Sequence, residues 1–270
     1  MTQGFGAVRI AAMSDVHCGK ETAGSLAPVF AQVAAQADVL VLCGDLTDYG
    51  LPDEAKLLVR EMGGMTRIPI IAVLGNHDYE AGRHTEICDV LSEAGVRVLD
   101  GDSHEVLGVG FAGVKGFAGG FGRGALGPWG ETAIKQFVHE AINEALKLET
   151  ALARLRTPQR VAVLHYSPIR ETVEGEPPEI FPYLGSSRLE EPLGRYPVSV
   201  VFHGHAHNGA LEGKTARGVP VYNVSLPLMR KLLPDRPPFR IVEVQVALPS
   251  DDGGGAAAPT SPPVESVIAR

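Results

Sequence analysis

The chain has 270 residues, 44% of them hydrophobic and 21% charged, enough for one large core or two small ones. A formal net charge of −8 with no lysine or arginine run argues against a nucleic-acid partner gripped through its phosphates. No apolar stretch approaches the ~18 residues of a membrane span, the opening "MTQGFGAVRIAAMSD" lacks the basic and apolar regions of a signal peptide, and Cys18, Cys43 and Cys88 are too few and too scattered for a disulfide framework, so a cytoplasmic protein is expected.

In chain order, a first apolar strand is predicted at 7–13, followed by a helix at 24–37 and a strand at 39–43. A helix at 53–62, a strand at 70–74 and a helix at 85–94 continue the alternation. Two short runs, 96–99 and 104–111, sit close together and predict a hairpin. The segment 114–130, "VKGFAGGFGRGALGPWG", is glycine-rich and carries the only tryptophan. It lacks the Gly-Lys-Ser/Thr ending of a phosphate-binding P-loop. A long helix is predicted at 131–155, because Ile134, Phe137, Val138, Ala141, Ile142, Ala145, Leu148, Leu152 and Leu155 recur at three- and four-residue spacing. Strands follow at 160–164, 198–202, 219–224 and 240–248. The tail from Pro249 onward is low in complexity and predicted disordered, which leaves one α/β domain over 1–248 and a tail over 249–270.

Five of these strands end in residues that bind metals. "IAAM" runs into Asp15 and His17, "VLVLC" into Asp45, and "IIAVL" into Asn76, His77 and Asp78. "VAVL" runs into His165, and "VSVVF" into "HGHAH", read here as presenting His203 and His205. Sites in α/β sheets form at the carboxyl ends of strands. Carboxylate, amide and imidazole without thiolate suit Mn, Fe, Zn or Co. Two aspartates, one asparagine and four histidines exceed what one ion takes, so two divalent ions with a bridging aspartate are expected. In "DVH" and "HGH", residues two apart are expected to point the same way from extended backbone. The glycines before Asp45, Asn76 and His205 are expected to allow tight turns.

The ordered set "DVH", "GD", "GNHD", "H" and "GHAH" resembles the calcineurin-like metallophosphoesterase family, over Asp15 to His205. The resemblance implies a four-layer α/β/β/α sandwich of two mixed sheets flanked by helices. It implies that Asp15, His17 and His205 hold one metal, that Asn76, His165 and His203 hold the other, and that Asp45 bridges. His77 would protonate the leaving group or bind phosphate, with Asp78 orienting it. Apart from the resemblance, His207 follows "GHAH" closely enough to be expected at substrate, with Asn76.

The function so implied is hydrolysis of a small phosphoester, a diester such as a cyclic nucleotide being favoured because compact bacterial cyclic-nucleotide phosphodiesterases share this motif set. The alternatives are a phosphomonoesterase or protein phosphatase, a nuclease, and a non-catalytic scaffold on the same fold. A homo-oligomer is compatible with the sequence. His84, His104 and His139 read as surface or packed histidines.

Overall fold

The computed structural model describes residues 5–63 and 67–247; the tail expected at 249–270 lies outside them. In chain order the strands are β1 Phe5–Met13, β2 Val39–Cys43, β3 Ile70–Val73, β4 Val96–Val98, β5 Asp102–Val106, β6 Val109–Gly113, β7 Gln159–Val163, β8 Val200–His203, β9 Glu212–Lys214, β10 Pro220–Asn223 and β11 Arg240–Ala247. The helices are α1 Ala27–Gln36, α2 Pro52–Glu61, α3 His84–Glu93, α4 Thr132–Arg154, α5 Phe181–Leu184, α6 Glu190–Arg195 and α7 Leu226–Leu232. The strands form one sheet in the order β11-β1-β2-β3-β4 and a second in the order β5-β6-β7-β8-β10-β9. Each is mixed: β11 runs antiparallel on the first, and β5 and β9 on the second.

Period-two alternation sorts the side chains into layers. Ile10, Ala12, Val39, Val41, Ile71 and Val73 pack between the sheets against Phe111, Val161, Val163, Val200 and Phe202. Their strand neighbours Ala11, Met13, Leu40 and Leu42 pack outward against Phe30 of α1, Leu58 of α2 and Ile87 of α3. On the far side, Ala112, Ala162 and Val201 meet Leu148, Ala151 and Leu152 of α4 and Leu193 of α6. The result is a four-layer α/β/β/α sandwich in a single domain. β2 is buried along its whole length, which explains its unbroken apolar run. Fully burying one such leucine or isoleucine contributes about 1.5–3 kcal/mol.

The expected hairpin is different in the structure. β4 pairs in parallel with β3 in the first sheet, and the chain then crosses to the second sheet over Leu99–Gly101. The hairpin is β5 with β6. Its two-residue turn is Leu107 and Gly108, both at positive φ (52° and 77°), the backbone that matches strand twist. A leucine in that turn hides it within an apolar run. β9 and the short helices α5, α6 and α7 were not visible in the sequence pattern. Among the described residues, no helix is long and apolar enough to cross a membrane.

Candidate metal centre

The parallel strands β1, β2, β3, β7 and β8 end on one edge, where backbone bonds tie the strand ends to one another within each sheet and, from Ser14 to Val224, between the sheets. Ser14 N–H donates to Val224 O (2.9 Å), Asp15 N–H to Gly44 O (3.0 Å), His17 N–H to Asp45 O (3.0 Å) and Gly204 N–H to His165 O (3.1 Å). The residues they position are not extended. Asp15, His17, Asp45 and His205 have φ of 54°, 40°, 48° and 71°, a left-handed conformation that costs energy outside glycine. The expectation that spacing along extended backbone aims Asp15 with His17 is therefore corrected: the backbone reverses at each residue. At Gly75 and Gly204 the need is for close approach more than for a turn. A Cβ on Gly75 would collide with the Asp45 carboxylate and amide, and one on Gly204 with Ser14 Oγ and the Asp15 carboxylate.

Ligand-type atoms collect in three overlapping groups among the described residues, each within 4.8 Å: Asp15 with His17 and His207, His17 with Asp45 and His77, and Asp45 with His165 and His205. Asp45 is shared by the last two. Its Oδ2 is 3.8 Å from His17 Nε2 and its Oδ1 is 3.4 Å from His165 Nε2. Asn76 Oδ1 joins the third group, 2.9 Å from His165 Nε2. The opposite nitrogen of His165 donates to the Cys43 carbonyl at 2.9 Å, which fixes the tautomer and leaves Nε2 free to coordinate. His205 is held the other way round, with Nε2 at the Tyr183 carbonyl (3.1 Å) and Nδ1 left available.

His77 stands at the mouth. Its ring meets that of His17 edge-on with centroids 4.5 Å apart, and its Nδ1 donates to the Asp48 carbonyl at 2.7 Å. The Asp48 carboxylate also lies 3.5 Å from His17 Nδ1. Asp78 does not orient His77. It is wholly buried and accepts from the backbone N–H groups of Leu46, Thr47 and Gly75 and from Thr47 Oγ1 at 2.7–3.2 Å. Asp78 therefore clamps the loop after β2 to the loop after β3, and the partner of His77 is Asp48, through its main chain.

His203 is likewise corrected. Its Nδ1 contacts the Gly204 carbonyl and its Nε2 contacts Thr172 Oγ1, both at 2.8 Å, and it stands in none of the groups of clustered ligand atoms among the described residues. His207, expected at substrate, stands with Asp15 and His17 instead. A signal for this was present in the sequence: the run that reads Gly-His-x-His is Gly204-His205-Ala206-His207. Taking His203 and His205 from that stretch shifts the pair by two residues.

The electrostatics suit cations. Burial holds His203 down at about 4 and pushes His165, His205 and His17 below the ordinary imidazole range; all four rings are neutral, and the last three are able to coordinate. Burial, with the charges of Asp15 and Asp78, raises Asp45 to about 9. Burial works the same way on Asp15, but the His207 hydrogen bond and the surrounding imidazoles outweigh it and keep that carboxyl ionised. His17 Nε2 is buried with no hydrogen-bond partner, an orphan that a cation would satisfy. Two aspartates set close together among these imidazoles, with one such orphan, fit a pair of divalent ions.

The sequence profile of the calcineurin-like phosphoesterases matches residues 8–209. No curated protein matches the sequence. Among solved structures, the phosphopantetheinyl hydrolase PptH from Mycobacterium tuberculosis is similar, with a TM-score of 0.62 at 19% identity, covering 93% of this chain and 98% of its own. TT1561 of Thermus thermophilus gives 0.52 at 15% identity, over 88% of this chain and 99% of its own. GAP50, the anchor in the inner membrane complex of Plasmodium, gives 0.51 at 14% identity, over 82% and 72%. At these identities the likeness is one of fold.

Proposed function

The chain belongs to the calcineurin-like phosphoesterase family, and from that premise we propose that it hydrolyses a phosphodiester of a small organic substrate, such as a nucleotide, with two divalent transition-metal ions. The observation that carries this reading is Asp45, whose two carboxylate oxygens face different ligand groups. Asp15, His17 and His207 would hold one ion and Asn76, His165 and His205 the other, with Asp45 shared. When bound, such a pair supplies Lewis acidity at the phosphoryl group and a nucleophile at neutral pH.

The chain's own residues do the rest. The Cys43 and Tyr183 carbonyls hold His165 and His205 in the tautomers that present a free nitrogen. His77 donates its Nδ1 proton to the Asp48 carbonyl, which leaves Nε2 free beside the His17 and Asp45 groups; when protonated there, it delivers that proton to the departing oxygen. The Gly75 and Gly204 backbones let the Asp45 and Asp15 carboxylates sit tight against the strand ends.

A diester is favoured over a monoester because, among the described residues, no arginine or lysine side chain bonds to any of these groups. A dianionic monoester calls for such a grip, whereas a monoanionic diester does not. The acidic segment after His165, with Glu171, Glu174, Glu176 and Glu179, disfavours polyanions such as nucleic acid. The test is a panel on Mn-loaded protein: aryl phosphomonoester, aryl phosphodiester, cyclic nucleotides, a phosphopantetheinyl diester and single-stranded DNA. A tenfold or larger preference for the monoester would replace this reading with a phosphatase.

A further inference from the structure

The glycine-rich segment 114–130 belongs to neither the ligand set nor the proton donor. We propose that Gly119 and Gly120 in it are positioning residues for the His205 imidazole, acting through the main chain of Tyr183; the inference rests on His205 being a metal ligand.

A carbonyl oxygen only accepts, so the 3.1 Å contact from His205 Nε2 to Tyr183 O places the ring proton on Nε2 and leaves Nδ1 to coordinate. The placement of that carbonyl therefore sets the tautomer and the rotation of the ring. Tyr183 lies in α5, a single turn of four residues, too short to hold its own shape. The glycine loop holds it from both sides. Gly119 N–H donates to Pro182 O at 2.7 Å and Gly120 N–H to Gly185 O at 2.8 Å, while Gly120 O accepts from Ser187 N–H at 3.1 Å. On the other flank, Ser167 N–H donates to Leu184 O at 3.1 Å, tying the same turn to the segment after His165.

Both positions require glycine. Gly119 has φ 152° and Gly120 φ 83°; a Cβ on Gly119 would lie 2.8 Å from Ser186 Oγ, and one on Gly120 3.0 Å from the Gly124 carbonyl. Phe121, next along the loop, packs with Leu184, Val173 and Ala206. Ala206 sits between His205 and His207, so the loop reaches the ligand segment by an apolar contact as well.

The experiment is a cobalt(II) titration of chelated protein, read by absorption, together with the melting temperature of each metal-free variant. Gly120→Asn, Gly120→Ala and Gly120→Val impose increasing strain at positive φ. One of the two equivalents is expected to weaken by about 10–100-fold, the usual effect of disturbing the partner of a ligating histidine, with Val the worst and Asn the mildest. The other equivalent stays near wild type, and so does the metal-free melting temperature of Gly120→Asn, the residue that tolerates positive φ best. Tyr183→Ala leaves both equivalents unchanged, because the carbonyl and not the phenol does the holding. Both equivalents weakening together, a matching fall in metal-free stability across the series down to Asn, or the same loss in Tyr183→Ala would overturn the proposal. Absence of metal binding in the wild type would overturn the ligand reading itself, and this inference with it.

Discussion

His207 Nε2 lies 3.1 Å from Asp15 Oδ1, across 192 positions of chain. The contact brings the end of the last motif onto the start of the first, and makes His207 a ligand candidate where His203 is not. With two metals reconstituted, His207→Ala should retain close to one equivalent by elemental analysis. His203→Gln should retain both, because the side chain it replaces is engaged with Thr172 and Gly204. The reverse pattern would return the ligand role to His203.

His77→Ala should leave metal content intact and lower the rate by ~10²–10⁴-fold, the scale of general acid catalysis. The loss should be milder on an aryl ester, whose nitrophenolate departs without a proton, than on a cyclic nucleotide. An equal loss on both would make His77 a phosphate-binding group.

Asp78→Ala should act on stability first. The carboxylate satisfies three backbone N–H groups and a hydroxyl in a fully buried position, and its removal orphans them. A loss of about 3–5 kcal/mol is expected in urea unfolding. A variant of unchanged stability that matched the rate loss of His77→Ala would instead make Asp78 its orienting partner.

Chelated protein should lose stability as pH falls below about 6.5. His203, fully buried, titrates at about 4 in the folded chain, and His165 is also lowered, burial being the main cause for both. Below 6.5 the unfolded chain takes up protons that the folded histidines refuse. Asp45, raised to about 9, opposes this with one extra proton in the folded chain. His203, His165, His205 and His17 together outnumber it, so stability rises with pH across that window. For His203 alone the full effect is roughly 3 kcal/mol at about 1.4 kcal/mol per unit. Urea midpoints that stayed flat from pH 7 to 4.5 would contradict this. His203→Gln should flatten part of the slope.

Much of this molecule is legible in its sequence. Three of the strands that build the centre, β2, β3 and β8, are apolar runs because each is buried on both faces, and a run such as "VLVLC" has no other stable use in a chain of this composition. The chemistry is legible too, since aspartate, asparagine and histidine at the ends of five parallel strands have no cheaper common explanation than a metal site. The hairpin was not, because Leu107 carries no mark of its positive φ and only pairing with β6 reveals it.

Which histidines of "HGHAH" enter the centre was decided by the tertiary structure. Periodicity reports only the spacing of side chains along an assumed backbone. His203 is the last residue of β8, and its ring turns to Thr172 in the segment after His165. At His205 the backbone goes left-handed, and that reversal carries His205 toward Asp45 and His207 toward Asp15. The strain is tolerated because Gly204 lets the strand end lie against Ser14 and Asp15, residues that are distant in the chain and adjacent only once the two sheets have packed.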